Sequence, residues 1–180
     1  MSTPQRYPGR PEAETRRIGR TLGLLAILAF LALGWVSFDA AIERREDPNR
    51  NLVVAPGASE LVLKRNRAGH YLLPGLINGQ PVRFLLDTGA TQVSVPAHLG
   101  SALGLQPGAS ASVMTANGSV TVRQTRIDRL VVGPFELRNV GSHLNPGMRG
   151  DEVLLGMSAL RHLEFTQRGD TLTLRAPGPV

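Results

Sequence analysis

The sequence predicts an all-β domain with one short helix, preceded by a single apolar transmembrane helix. Three observations carry this. From about residue 60 onward, short runs rich in Val, Leu and Ile alternate with Gly, Pro and Asn, a strand-and-turn rhythm. Asn78-Gly79 stands between two such runs and is the strongest short hairpin signal. Ahead of the domain, residues 21–38 carry no charge, and that run is too long for a strand and apolar on every side.

The elements follow in order. Residues 1–20 are polar, with Arg6, Arg10, Arg16, Arg17 and Arg20 among Pro4, Pro8 and Pro11, a composition that argues against structure. As a helix, the run 21–38 spans about 27 Å at about 1.5 Å per residue, close to a bilayer core. Arg20 can snorkel at one end and Trp35 lies near the other. A buried core helix would be amphipathic. A cleaved signal peptide would need small residues just past the run, where Phe38 and Asp39 stand. An uncleaved signal anchor is the better reading. The arginines before it place the N-terminus in the cytoplasm, and in a bacterium the rest lies in the periplasm, anchored to the inner membrane. Residues 39–59 read as a linker, densely charged at first and ending in Ala55-Pro56-Gly57-Ala58-Ser59.

The domain is expected over 60–180. Residues 60–64 form a short edge strand. Residues 70–77 and 81–86 flank the Asn78-Gly79 turn. Thr91 to Val95 alternates polar and apolar, and a short helix is expected from Pro96 to Leu103, with Pro96 in its first turn. Ser112 to Gln124 reads as a second hairpin around Thr115, Ala116, Asn117 and Gly118. Strands follow at 127–132, 135–137 and 140–143. A helical turn is expected from Ser158, as its cap, to Leu163. The last pair, 163–166 and 171–174, turns through Gly169-Asp170.

Composition excludes several kinds of chemistry. There is no cysteine, hence no disulfide framework or thiolate. The net charge is +6, and of the twenty basic residues only Lys64 is Lys. The arginines are dispersed, aromatics are few, and no nucleic-acid motif interrupts them, so a polyanion-binding role is disfavoured. His70, His98, His143 and His162 lie in different segments without metal-ligand spacing. Neither a Ser/His/Asp arrangement nor a phosphate-cradling loop is present, and no metal or cofactor is expected.

One stretch points to chemistry. Asp87-Thr88-Gly89-Ala90 follows the apolar run Val82, Phe84, Leu85, Leu86. A carboxylate at the end of a hydrophobic strand costs free energy unless it is hydrogen-bonded or has a task. Thr88 can hydrogen-bond beneath it, and Gly89 permits a sharp turn. Ala90 has no hydroxyl to offer the carboxylate. Asp-Thr-Gly by itself is also a common turn sequence. What distinguishes it here is the preceding strand, the 112–124 hairpin, and Leu154-Leu155-Gly156 near the C-terminus.

Together these residues resemble the retropepsin-like aspartic proteases, and more narrowly the bacterial membrane-anchored branch of that superfamily, over roughly residues 69–175. The resemblance implies a closed β-barrel, a single lobe of an aspartic protease. It implies that Asp87 is catalytic, that Thr88, Gly89 and Ala90 support the active-site loop, and that Thr88 reaches across a two-fold axis. It also implies that Thr115 to Gly118 form the tip of a flap and that Leu154, Leu155 and Gly156 pack behind the loop as structure. Acid proteolysis needs two carboxylates sharing one proton, and the chain has one Asp-Thr-Gly. The second Asp87 is therefore expected from another copy, in a homodimeric endopeptidase acting on peptide or protein. The alternative is a catalytically idle domain of the same fold that binds peptide or assembles at the membrane.

Overall fold

The computed structural model describes residues 23, 25, 27–35, 45–55, 57–115 and 118–178. The chain divides into two units, Met1–Glu43 and Arg44–Val180. In the first, the described residues are helical and exposed. Among the described residues no helix is long and apolar enough to cross a membrane. The Arg-rich tail 1–20 and both ends of the 21–38 segment lie outside them.

The second unit is built from β1 (Glu60–Lys64), β2 (Leu72–Ile77), β3 (Gln80–Leu86), β4 (Val93–Pro96), β5 (Ser110–Thr115), β6 (Gly118–Val132), β7 (Phe135–Asn145), β8 (Glu152–Leu155), β9 (Glu164–Arg168) and β10 (Thr171–Arg175). Strands pair in the order β2-β3-β8-β4-β7-β6, and β6 returns to β2. Six strands thus close a barrel, as the resemblance implied. Phe84, Leu73, Ile77, Ile127, Leu130, Val93, Val95 and Leu155 fill it, each fully buried. Each large side chain so buried contributes about 1.5–3 kcal/mol over its exposed state.

Local chemistry sets the closure. Asn78 and Gly79 take φ of 50° and 84°, the left-handed pair that a two-residue hairpin needs. β2 then pairs with β3 on one side and, through Gly75 to Ile77, with β6 on the other. A Cβ on Gly75 would stand 2.4 Å from the Val131 carbonyl oxygen and 2.5 Å from the Phe84 ring, so only glycine fits between the strands. Asn78 continues the seam: its N–H donates to the Arg129 carbonyl (2.8 Å), and its Oδ1 accepts the Arg129 N–H (3.1 Å).

A separate sheet, β1-β10-β9, lies at the chain's edges. Leu61 and Leu63 of β1 and Leu172 and Leu174 of β10 are buried and join the core cluster. The edge strand expected at 60–64 is present, paired with β10.

Four details differ from the sequence reading. The helix expected over 96–103 is only a 3-10 turn, Ala97–Leu99. Gly100 is its C-cap, a Leu103 N–H to Leu99 carbonyl bond (3.0 Å) closes the following turn, and Gly104 with φ of 67° ends it. The strands expected at 127–132, 135–137 and 140–143 are parts of two long strands, β6 and β7, paired in one register. The break expected near residue 139 is a local one: Asn139 takes φ 54° inside β7 without ending it. The helix expected from Ser158 is Met157–Leu160, with Gly156 at its N-cap and no side-chain cap. Finally, part of the 39–59 linker is docked on the barrel. Buried Asn49 donates to the Lys64 and Leu72 carbonyls (2.8 Å each) and accepts the Lys64 N–H (2.8 Å). The buried Asp47 carboxylate pairs with Arg83 of β3 at 3.0 Å, and Leu52 and Val54 pack on the core.

Candidate active site

Asp87 leaves the end of β3, whose last residues run parallel to β8 with Leu85 opposite Leu154 and Leu86 opposite Leu155. β8 in turn meets β4 at Ser94. The segment 87–92 therefore leaves one neighbour of β8 and returns on its other side. The Asp87 N–H donates to the Leu155 carbonyl (3.2 Å), so the start of the loop is an extension of the β3–β8 pairing. The Gly89 N–H donates to Asp87 Oδ1 (2.9 Å), and the Ala90 N–H donates to the Asp87 carbonyl (3.3 Å). It is the Gly89 amide, and not the Thr88 hydroxyl, that supports the carboxylate, because the turn brings that amide back to the side chain two residues before it. One carboxylate oxygen is thus oriented while the half-buried group still faces outward. Thr88 is exposed, and within the chain its hydroxyl has no partner among the described residues.

The loop is braced from behind. Met157 and Ser158 donate their N–H groups to the Ala90 and Thr91 carbonyls (2.8 and 2.9 Å). A Cβ on Gly156 would lie 2.3 Å from the Gln92 carbonyl oxygen and 2.7 Å from that of Ala90. Leu154, Leu155 and Gly156 therefore back the loop directly, and Ala90 takes part through its carbonyl. Ser158 was missed as a brace from sequence. Its hydroxyl accepts the Val93 N–H (2.9 Å) and donates to the Gly141 carbonyl (2.7 Å), tying β4 and β7 to the short helix. A serine two residues past the Leu-Leu-Gly element looks like a cap, and only the fold shows its cross-strand partners. A second polar group beside it, Ser94, Asn145 and Met148, was also not legible: Ser94 Oγ donates to Met148 Sδ (3.2 Å), and Asn145 Nδ2 donates to Ser94 Oγ (3.4 Å).

The second hairpin, β5 with β6, projects from the barrel. Thr115 pairs with Gly118, and the Thr115 hydroxyl donates to the Gly118 carbonyl (2.8 Å). Ala116 and Asn117, the expected tip, lie outside the described residues. Met114 beside it is 82% exposed, a large apolar side chain open to solvent. A cavity of about 510 Å³ lies elsewhere, at the opposite end of β3, between Pro74, Pro81, Val82, Leu103 and the Asp47–Arg83 pair. It is remote from Asp87 and contributes nothing to this site.

An acidic loop at the end of a barrel strand, backed by a Leu-Leu-Gly strand, is the arrangement of an aspartic-protease lobe. The family model described as "gag-polyprotein putative aspartyl protease" matches residues 73–162, and the chain belongs to this family. It is 31% identical over 177 residues to an uncharacterized protein of the cobV 5′ region of Sinorhizobium sp, covering 88% of this chain and 75% of that one. It is 27% identical over 108 residues to an uncharacterized protein of Rickettsia prowazekii (strain Madrid E), covering 58% and 46%. Among solved structures it is similar to a retropepsin-like aspartic protease from Rickettsia conorii, with 29% identity and a TM-score of 0.56 over 65% of this chain and 90% of that one. The fold is retropepsin-like.

Proposed function

We propose that the chain is an aspartic endopeptidase that works as a homodimer, with Asp87 of each copy forming the catalytic pair. The observation that carries this reading is the Asp87 loop: a carboxylate held by the Gly89 amide and backed by Gly156, at the end of a barrel strand. Two carboxylates brought together cannot both ionise, so one keeps a proton. The ionised carboxylate takes a proton from a water as that water attacks the scissile carbonyl carbon. The protonated one donates to the carbonyl oxygen. Collapse of the tetrahedral species breaks the C–N bond as the amine takes up a proton. Thr88, exposed and without a partner among the described residues, would bond across the two-fold axis, and the β5–β6 hairpin would cover the peptide and exclude water.

We further propose that residues 21–38 anchor the enzyme in a bacterial inner membrane with the protease domain in the periplasm. The uncharged run and the arginines before it support this. The deciding experiment incubates the purified full chain, wild type and Asp87→Asn, with a denatured protein mixture across acidic and neutral pH. Wild type is expected to cleave. Asp87→Asn should fold and not cleave, since Asn keeps the shape but cannot act as the base. Cleavage by the Asn variant near the wild-type rate would remove Asp87 from the mechanism.

A further inference from the structure

We propose that β9 is the strand through which two copies of this chain meet, paired edge to edge and antiparallel about a two-fold axis at Thr166. This rests on the two-subunit reading above and names the surface that reading requires. β9 ends the sheet β1-β10-β9, so among the described residues one side of its backbone has no strand beside it. All five of its residues are exposed, Phe165 at 43% among them. Unpaired edges are ordinarily blunted by proline, a bulge or a charge in the middle of the strand. Glu164-Phe165-Thr166-Gln167-Arg168 has none of these, and its charges stand at its two ends with opposite signs.

Symmetry then selects the register. A two-fold axis perpendicular to the sheet keeps every side chain on its own face, so a residue can meet only positions of the same parity. Centring on Phe165 sets Glu164 against Thr166, and centring on Gln167 sets Thr166 against Arg168. Only the register centred on Thr166 pairs all five residues. It places Glu164 of each copy opposite Arg168 of the other, Phe165 opposite Gln167, and Thr166 opposite Thr166. The two Phe165 side chains become diagonal neighbours about 7–8 Å apart, within aromatic reach. They stand in the row of Leu174 and Leu61, on the face that supplies the core.

The charges are available for this. Arg175, the β10 neighbour of Glu164, is engaged by Glu60 at 2.8 Å. Among the described residues Glu164 itself accepts only the Gly178 N–H, at 3.4 Å. Arg168 lies opposite Thr171 and has no acidic partner among the described residues. The location also suits the site. Residues 161–163 alone separate β9 from the helix Met157–Leu160, whose first amides hold the Asp87 loop.

The absence of cysteine makes the test direct. Thr166→Cys in the full chain, in detergent, puts one thiol per copy on the axis, where paired Cα atoms lie about 4.5–5.5 Å apart, within disulfide range. Mild oxidation is expected to give a covalent dimer. Glu164→Cys alone should not, its two copies lying about 13 Å apart along the strands, whereas Glu164→Cys mixed with Arg168→Cys should. Glu164→Arg is expected to weaken dimerisation by about tenfold in sedimentation, and Glu164→Arg with Arg168→Glu to restore it. Equal cross-linking at 164 and 166, or a chain that dimerises while Thr166→Cys fails to cross-link, overturns the β9 contact and leaves the two-subunit reading intact. A cross-linked Thr166→Cys dimer that leaves peptides uncut supports the contact and counts against the protease reading instead.

Discussion

A side chain has no room at position 156. Backbone oxygens of Gln92 and Ala90 close on it from the loop side, and backbone cannot turn aside as a side-chain tip can. Gly156→Ala is therefore expected to cost about 3 kcal/mol, near the upper end for overpacking, and to displace the Asp87 loop. Urea unfolding measures the first effect and loss of activity the second. Gly89→Ala is the contrasting case, since its Cβ would approach only Asp87 Oδ1, at 3.2 Å. A Gly156→Ala protein as stable as wild type would show that the loop does not rest on this residue. His143 makes a different residue-scale claim. It is buried in β7 between Gln124 of β6 and Ser94 of β4, and burial pushes its pKa below the ordinary value. The unfolded chain takes up the proton more readily, so stability is complete above the unfolded pKa, about 6.5, and falls as pH drops through that value toward the lower folded one. His143→Gln should lose less melting temperature than wild type between about pH 7.5 and about pH 5, a comparison that scanning calorimetry makes directly. An identical loss in both would remove His143 as the cause.

At the scale of elements, the segment before β1 behaves as part of the barrel. The Asn49 side chain satisfies two carbonyls and one amide on β1 and β2, and truncation would leave all three without this partner, the Leu72 carbonyl in a buried place. Asn49→Ala is expected to destabilise the domain by about 3 kcal/mol, the upper range for a buried polar group left unpaired. Denaturant titration reads this, and a change under about 0.5 kcal/mol, typical of a surface site, would show that the segment is a loose tether after all. Nothing in the sequence announces this docking. Residues 45–50 read as charged linker because the partners of Asn49 are backbone groups 15 and 23 residues away, and backbone groups leave no trace in composition. The Asn78-Gly79 hairpin was legible because its turn chemistry is local, and the Asp87 loop because a carboxylate after an apolar strand is conspicuous. The continuity of β7 was hidden by Asn139, whose left-handed backbone resembles a turn in sequence but is held in register by the paired strand. The bonds of Ser158 to Val93 and Gly141 were hidden for the same reason as those of Asn49: they join segments 65 and 17 residues apart.

At the scale of the whole molecule, one Asp-Thr-Gly per chain makes the active species a question of stoichiometry. If each copy supplies one carboxylate, a pair of wild type and Asp87→Asn holds a single ionisable group and cannot share a proton between two. Such mixed pairs should be inactive, and the Asn variant should suppress the wild type without competing for substrate. With free exchange of subunits and a fixed amount of wild type, an equal amount of Asp87→Asn should lower total activity to about half, and a ninefold excess to about a tenth, because active pairs scale with the square of the wild-type fraction. The measurement is a titration of full-length Asp87→Asn into full-length wild type, at total protein high enough that all copies are paired, with a fluorogenic peptide as reporter. Adding Glu164→Arg to the Asn variant should weaken its suppression, since the mixed pair then carries like charges at the β9 edge. Activity unchanged by any excess of Asp87→Asn, in preparations shown to exchange subunits, would mean that one chain suffices for catalysis and that Asp87 has a different partner.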